Sequence, residues 1–268
     1  MKPSELTRKP PKILIYGPPG LGKTSLFMTL GEKAQLLDLD GNADVALGLK
    51  DNLHAERMEC DVRQILEDDP AGKATVFARA KKYIYGLPGE IKKGNFPFDA
   101  FGLDSLTSLA VACQDYVMAN SGRLGQNPEI QHWGLIITEI ANVVKALKGL
   151  PIPTFILAHE EVIVPEGGGE DNLAKIQIAI PGRKLPGQIT RQFSEIWYLK
   201  MRASGQGKHE ILIQTLATQI ITCRSGRGLA TGRKIATLNP KASTTDSVSM
   251  WMLLKEIGWI PAIKEKTS

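Results

Sequence analysis

Short apolar runs alternate along this 268-residue chain with longer stretches whose apolar residues recur at helical spacing. Ile13-Leu14-Ile15-Tyr16, entered through Pro10 and Pro11, has the continuous apolar character of a central parallel strand. Gln35 to Asp40 predicts a second strand that stops at the turn signal Gly41-Asn42, with Asp38 and Asp40 at its carboxyl end. Residues 61–94 are charged and predict mostly helix, and Phe98 to Ser105 predicts a third strand weakened by Gly102. From Leu135 to Leu147, the positions of Ile136, Ile140, Val143 and Leu147 trace one buried helix face. Pro151 and Pro153 interrupt it, and Thr154 to Ala158 predicts a fourth strand ending at His159. Beyond Gly182 the pattern changes to short strands at Ser194 to Met201, Glu210 to Leu216 and Gln219 to Cys223, separated by Gly-rich turns. A last helix, Ser247 to Ile257, carries Met250, Trp251 and Leu254 on the side expected to pack on the domain.

Strands alternating with helices predict an α/β fold: a mostly parallel twisted sheet with helices on both faces and a β-rich C-terminal extension. The expected division is a flexible tail at 1–11, a core with its extension at 12–240, and a C-terminal helix and tail at 241–268. Ligands of such sheets sit beyond the carboxyl ends of the strands, where these aspartates and His159 fall. Composition narrows the rest. A hydrophobic fraction of 43% supports a full core, and Cys60, Cys113 and Cys223 have the spacing of neither a disulfide framework nor a zinc site. His54, His132, His159 and His209 show no ligand spacing, so no structural metal is expected. No apolar run approaches the ~20 residues of a membrane span, and the basic first residues lack a secretory core. A cytoplasmic protein with no membrane partner is the expectation. The formal charge of +5 permits a polyanionic partner without requiring one.

The strongest chemical signal is Gly17-Pro18-Pro19-Gly20-Leu21-Gly22-Lys23-Thr24, which fits GxxxxGK[ST] between a buried strand and the helix formers that resume at Thr24. Glycines there let successive backbone N–H groups face phosphate oxygens. Lys23 places a compact charge on the β- and γ-phosphates of ATP, the Thr24 hydroxyl coordinates Mg²⁺, and Ser25 is a less direct contact. The bland alternative, a Gly-Pro turn, lacks a reason for these flanks. Asp104 ends an apolar strand and would hold Mg²⁺ through water; its structural alternative is a helix cap.

The order of these features resembles RecA-like ATPases, and most closely the small phage RecA-like single-strand annealing proteins, the fourth Sak family, over residues 12–240. The resemblance rests on the P-loop, Leu37-Asp38-Leu39-Asp40-Gly41, Leu103-Asp104-Ser105-Leu106-Thr107 and Ile156-Leu157-Ala158-His159-Glu160. It implies that Asp40 orients the attacking water, where RecA has the longer glutamate and this chain could otherwise be capping a turn with Gly41. It places His159 at the γ-phosphate sensor, a glutamine in RecA, with a structural histidine as the alternative. Ala119 to Trp133, with Arg123, then corresponds to a first DNA-binding loop, and Glu161 to Lys184, with Gly167-Gly168-Gly169, Lys175, Arg183 and Lys184, to a second. Arg224 falls where RecA-like assemblies offer a cation to the neighbour's ATP, with Arg227 as a substitute and a plain surface residue as the alternative.

From Lys175 onward the cations, Arg191 among them, far outnumber Glu195 and Glu210. In a glycine-rich segment that imbalance suits a nucleic-acid strand, although a solvated surface is the default reading. Only Met1 to Pro11 precede the first strand, so the polymerisation element of RecA is expected to be missing or much reduced. Together these features predict a DNA-stimulated ATPase that binds single-stranded DNA as a homo-oligomer, ring or filament, and promotes annealing or strand exchange in phage recombination. The implied setting is the host-cell cytoplasm, with a single-stranded DNA-binding protein as a further partner. A nucleotide-switched helicase loader or another P-loop motor, and a nucleotide kinase, are the competing classes.

Overall fold

The computed structural model describes residues 8–44, 59–67, 74–164, 173–203, 209–235 and 247–259. The chain opens with strand β1 (Lys12–Gly17), the P-loop and helix α1 (Lys23–Met28), then strand β2 (Ala34–Asp38). Strand β3 (Asp61–Gln64), helix α2 (Val76–Lys93), strand β4 (Ala100–Asp104) and helices α3 (Leu106–Asn120) and α4 (Ile130–Gly149) follow. Next come β5 (Thr154–Ile163), β6 (Lys175–Ile178), α5 (Leu185–Thr190), β7 (Glu195–Ala203) and β8 (His209–Gln214). The last elements are β9 (Arg224–Ser225), β10 (Arg233–Ile235) and α6 (Met250–Glu256).

The sheet runs β10-β8-β7-β1-β5-β4-β2-β3, parallel from β7 to β3, with β8 and β10 added antiparallel. This is an α/β fold with the P-loop following β1, and β1 is enclosed by neighbours on both sides. Side chains of a strand alternate between faces, so Leu14 and Tyr16 enter a core with α2, α3, α4 and α5. Ile13 and Ile15 enter a second core with α1 and α6. Gly102 belongs to the second contact: a Cβ there would lie 2.7 Å from the Phe27 ring and 2.9 Å from Leu36. The glycine expected to weaken β4 is what lets α1 seat on the sheet.

Several expectations are corrected. Residues 61–64 form the edge strand β3 rather than helix; all four are exposed, which removes the alternation that marks a half-buried strand. The fourth strand does not end at His159 but continues to Ile163, where it leaves β4 and pairs antiparallel with β6. Strand β7 lies in the middle of the sheet beside β1, so the β-rich extension begins only with β8. Between Gln219 and Cys223 the backbone makes a single bridge, Ile176 to Ile221, and the short strand β9 follows it. Helix α6 packs beside α1, where the Met250 N–H donates to Thr29 Oγ1 at 2.8 Å and Trp251 Nε1 to the Leu30 carbonyl at 2.9 Å.

Candidate nucleotide site

The register that pairs Gly17 with His159, and Asp38 with Asp104, brings the carboxyl ends of β1, β5, β2 and β4 to one edge. Gly17 has φ 154°, and a Cβ on it would stand 2.5 Å from the Leu199 carbonyl oxygen, so the loop leaves β1 only through glycine. Lys23 is 5% exposed and its Nζ donates to the carbonyls of Gly17 at 3.0 Å and Pro18 at 2.8 Å. Burial pushes its ammonium down in pKa, opposed by the attraction of Asp104, Glu160 and Asp40.

The Thr24 hydroxyl donates to Asp104 Oδ2 at 2.5 Å. Burial pushes the Asp104 carboxyl up to about 6; the Thr24 hydroxyl opposes this, and the Asp40 and Asp38 charges add to it. One hydroxyl and one carboxylate on an open edge fit Mg²⁺, which keeps waters and phosphate oxygens in its shell. Among the described residues no group of three or more His, Cys, Asp or Glu converges as a metal cage. The capping alternative for Asp104 falls to its neighbour: Ser105 Oγ accepts from the Ser108 N–H at 3.2 Å and starts α3.

Asp38 and Asp40 divide their work. Asp38, 1% exposed, accepts from the N–H groups of Asp40 at 3.0 Å, Gly41 at 2.9 Å and Ala43 at 3.2 Å, and from Gln64 Nε2 at 2.9 Å. The turn-capping role open to Asp40 is therefore filled by Asp38. Asp40 is left to accept from Ser105 Oγ at 2.9 Å and to meet His159 Nε2 at 3.1 Å. Burial works against its charge, but hydrogen bonds from His159, Ser108 and Ser105 outweigh it and hold the carboxyl below the usual range. The His159 N–H in turn donates to Thr107 Oγ1 at 3.0 Å. Two polar atoms beside this cluster, His159 Nδ1 and Glu160 Oε2, are buried without a hydrogen-bond partner among the described residues. Ser105, Thr107 and Asp38 are the members that sequence reasoning left without a role.

A family model described as an AAA domain matches residues 9–231. The chain belongs to that family. The match covers the P-loop, both aspartate-bearing strand ends and His159, so the whole cluster lies within the AAA domain of a P-loop ATPase. A solved ATPase from the type III secretion system of pathogenic bacteria is similar in fold, with 15% identity and a TM-score of 0.47. The similarity covers 72% of this chain and 52% of that one, so the chain spans about half of that ATPase's length. A search of curated proteins finds no match.

The remaining predicted residues of this AAA-domain protein fall in three places. Arg123 lies in the turn between α3 and α4, where its guanidinium bonds Gln126 at 2.9 Å and pairs with Glu129. The two ends of the first expected loop are helical, since α3 runs to Asn120 and α4 starts at Ile130, which leaves 121–129 as the connection. In the second, Lys175 stands on β6, Lys184 precedes α5, and the Gly167-Gly168-Gly169 run lies outside the described residues. Arg183 lines a groove of about 910 Å³, together with Thr107, Val111, Glu161, Gln177 and Gly182. Arg191 and Arg224 go to the other edge. Strand β9 pairs with the start of β7 (Ile196 with Arg224), level with the start of β1 (Ile13 with Glu195). Arg224 Nε and Nη2 donate to the carbonyls of Phe193 and Thr190, each at 2.8 Å, closing the end of α5. Arg224 is thus not brought to the P-loop of its own subunit.

Proposed function

We propose that this ATPase is stimulated by single-stranded DNA, works as an oligomer, and uses its ATP cycle to promote annealing or strand exchange. The observation that supports this most is a continuous line of contacts from the nucleotide edge to the groove: Asp40, the His159 ring and backbone, then Thr107, a residue that also lines the groove. In the cycle, the N–H groups of Gly20 to Thr24 and the Lys23 ammonium hold the phosphates. Mg²⁺ held by Thr24 and Asp104 supplies charge neutralisation on the phosphate oxygens. Asp40 orients the attacking water and takes its proton, steadied by Ser105 and His159. Loss of the γ-phosphate changes what His159 faces, and the Thr107 contact carries that change to the groove and the β5–β6 hairpin beside it.

The deciding experiment is phosphate release measured with and without single-stranded DNA, alongside the assembly state. Stimulation by DNA together with assembly supports the proposal. Hydrolysis and assembly that ignore DNA overturn it and leave an ATPase of another output.

A further inference from the structure

The amino-terminal edge of the sheet carries a run of cations that the nucleotide site does not use. Arg191 follows α5, and Arg224 closes that helix by donating to Thr190 and Phe193. Three residues on, Arg227 Nη2 donates to the Lys9 carbonyl at 2.6 Å, and Arg8 Nη1 donates to the Gly258 carbonyl at 2.6 Å. These bonds tie Arg224, Arg227 and Arg8 to the backbone beside Arg191, at Lys9 and at Gly258, which places the five cations Arg191, Arg224, Arg227, Lys9 and Arg8 along one edge. All except half-buried Arg227 are exposed.

The turn that presents them is fixed from below by a buried acid. Glu195, 0% exposed, accepts from Trp197 Nε1 at 3.0 Å, Ser225 Oγ at 2.7 Å and the Arg227 N–H at 2.8 Å. Ser225 Oγ accepts in turn from the Leu229 N–H at 2.8 Å. Glu195 is therefore spent on the scaffold. Nearby Glu256 is bonded to Arg233 and the Ala230 N–H. Arg227 Nη1 is buried with no acceptor among the described residues, and burial and the Arg8 charge both disfavour its cation. Buried Arg227 Nη1 is out of an outside ligand's reach, but exposed Arg8, Lys9, Arg191 and Arg224, with no carboxylate paired to them among the described residues, suit an anionic partner from outside.

We propose that this edge is a second binding site that takes the phosphodiester backbone of a nucleic acid, on the side of the sheet opposite the ATP site. Four of the five cations are arginines, whose planar fork matches phosphate oxygens. The carbonyls along the strip (Thr190, Phe193, Lys9 and Gly258) already accept from arginines. An incoming peptide would bring N–H donors needing acceptors, whereas a phosphodiester brings acceptors only. The contact reads no bases, so affinity follows charge and salt.

The test uses Lys9→Glu/Arg191→Glu, two exposed side chains, in the full chain without nucleotide. Binding of labelled single-stranded and duplex oligonucleotides is followed by anisotropy across a salt series. Affinity should fall more than tenfold, and the single-strand slope of log K against log salt should flatten by at least about 1.4, roughly 0.7 per lost phosphate contact. The two oligonucleotides show which form the edge prefers. Unchanged affinity and slope for both overturn the site. So does a polyglutamate that competes as well as DNA at equal charge, since the partner would then be an acidic protein. If the double variant melts early, each single variant repeats the measurement. The outcome separates from the proposed function: DNA-stimulated hydrolysis with normal binding in the variant sinks only this site, whereas edge-dependent binding without stimulation sinks only that function.

Discussion

The two edges of the sheet each bury a carboxylate, and they treat it in opposite ways. At the carboxyl edge Asp104, 5% exposed, accepts one side-chain hydrogen bond, from Thr24, and burial pushes it up to about 6. At the amino edge Glu195, 0% exposed, accepts three. A buried acid with its acceptors filled is scaffold; one left short keeps capacity for a ligand. Asp38 and Asp40 differ in kind of donor: Asp38 is held by three backbone N–H groups and Gln64, whereas Asp40 meets only side chains. Exposure alone would rank Asp104, Glu195 and Asp38 together, and the count of donors sorts them.

The sharpest way to break this comparison is to remove charge at each edge in turn. Lys23→Ala should lower the turnover of ATP by about a thousandfold, read as steady-state phosphate release, because no other cation is described inside the P-loop. Glu195→Leu should leave turnover per folded molecule intact and cost about 3 kcal/mol of stability, since three buried donors lose their acceptor. A melting temperature lower by about 10 °C is expected. An unshifted melt would show that the amino edge is not the scaffold described.

Within the carboxyl edge, Asp40→Asn keeps the shape but removes the carboxylate proposed as the base. Turnover should fall about a hundredfold while nucleotide affinity stays within a few-fold. Equal loss in Asp38→Asn would be a stability effect, visible as an early melt rather than a slow folded enzyme.

How much of this was legible before folding depends on whether the residues that act together are close in the chain. Strand β1, the P-loop and α1 are contiguous, so one motif with its flanks suffices. The division between Asp38 and Asp40 is not legible, because both stand at one strand end and the donors that decide it include Gln64 on β3 and Ser105 at the start of α3. The exposed edge strand β3 has no period to read. Helix α3 had one: Leu106, Leu109, Ala110, Cys113 and Val117 recur at helical spacing and are all buried. The cations after Lys175 look like one basic segment in sequence. The chain crosses the sheet between them, which parts Arg183 at the groove from Arg191 and Arg224 at the opposite edge.

Acid should act on the two edges differently. Folded Asp104 keeps its proton up to about pH 6, while an unfolded aspartate gives it up near 4. Between those values the folded state binds more protons, so the Asp104 contribution destabilises progressively as pH rises through that window. Relative to Asp104→Asn, the nucleotide-free protein should gain roughly 2 kcal/mol on going from pH 7 to pH 4, read by denaturant unfolding. Mg²⁺ affinity moves the other way, falling as the carboxylate is protonated below about pH 6. A pH profile identical in wild type and Asp104→Asn would remove Asp104 from the comparison.

The smallest expected effect tests whether the Glu195 anchor works by donor count. Trp197→Phe deletes the indole N–H and trims the buried ring, leaving Glu195 with Ser225 and Arg227 as donors. The hydrogen bond's share of the loss should be about 1 kcal/mol, because the carboxylate keeps two of three partners, and the vacated ring volume adds about as much. Glu195→Gln in the same background should cost less than in wild type, since the indole N–H that the amide NH₂ would oppose is gone and fewer donors are left for its one acceptor oxygen. Additive losses would mean that the indole N–H and the carboxylate act independently, and that packing of the Trp197 ring, rather than the filled acid beneath the turn, holds the amino edge in place.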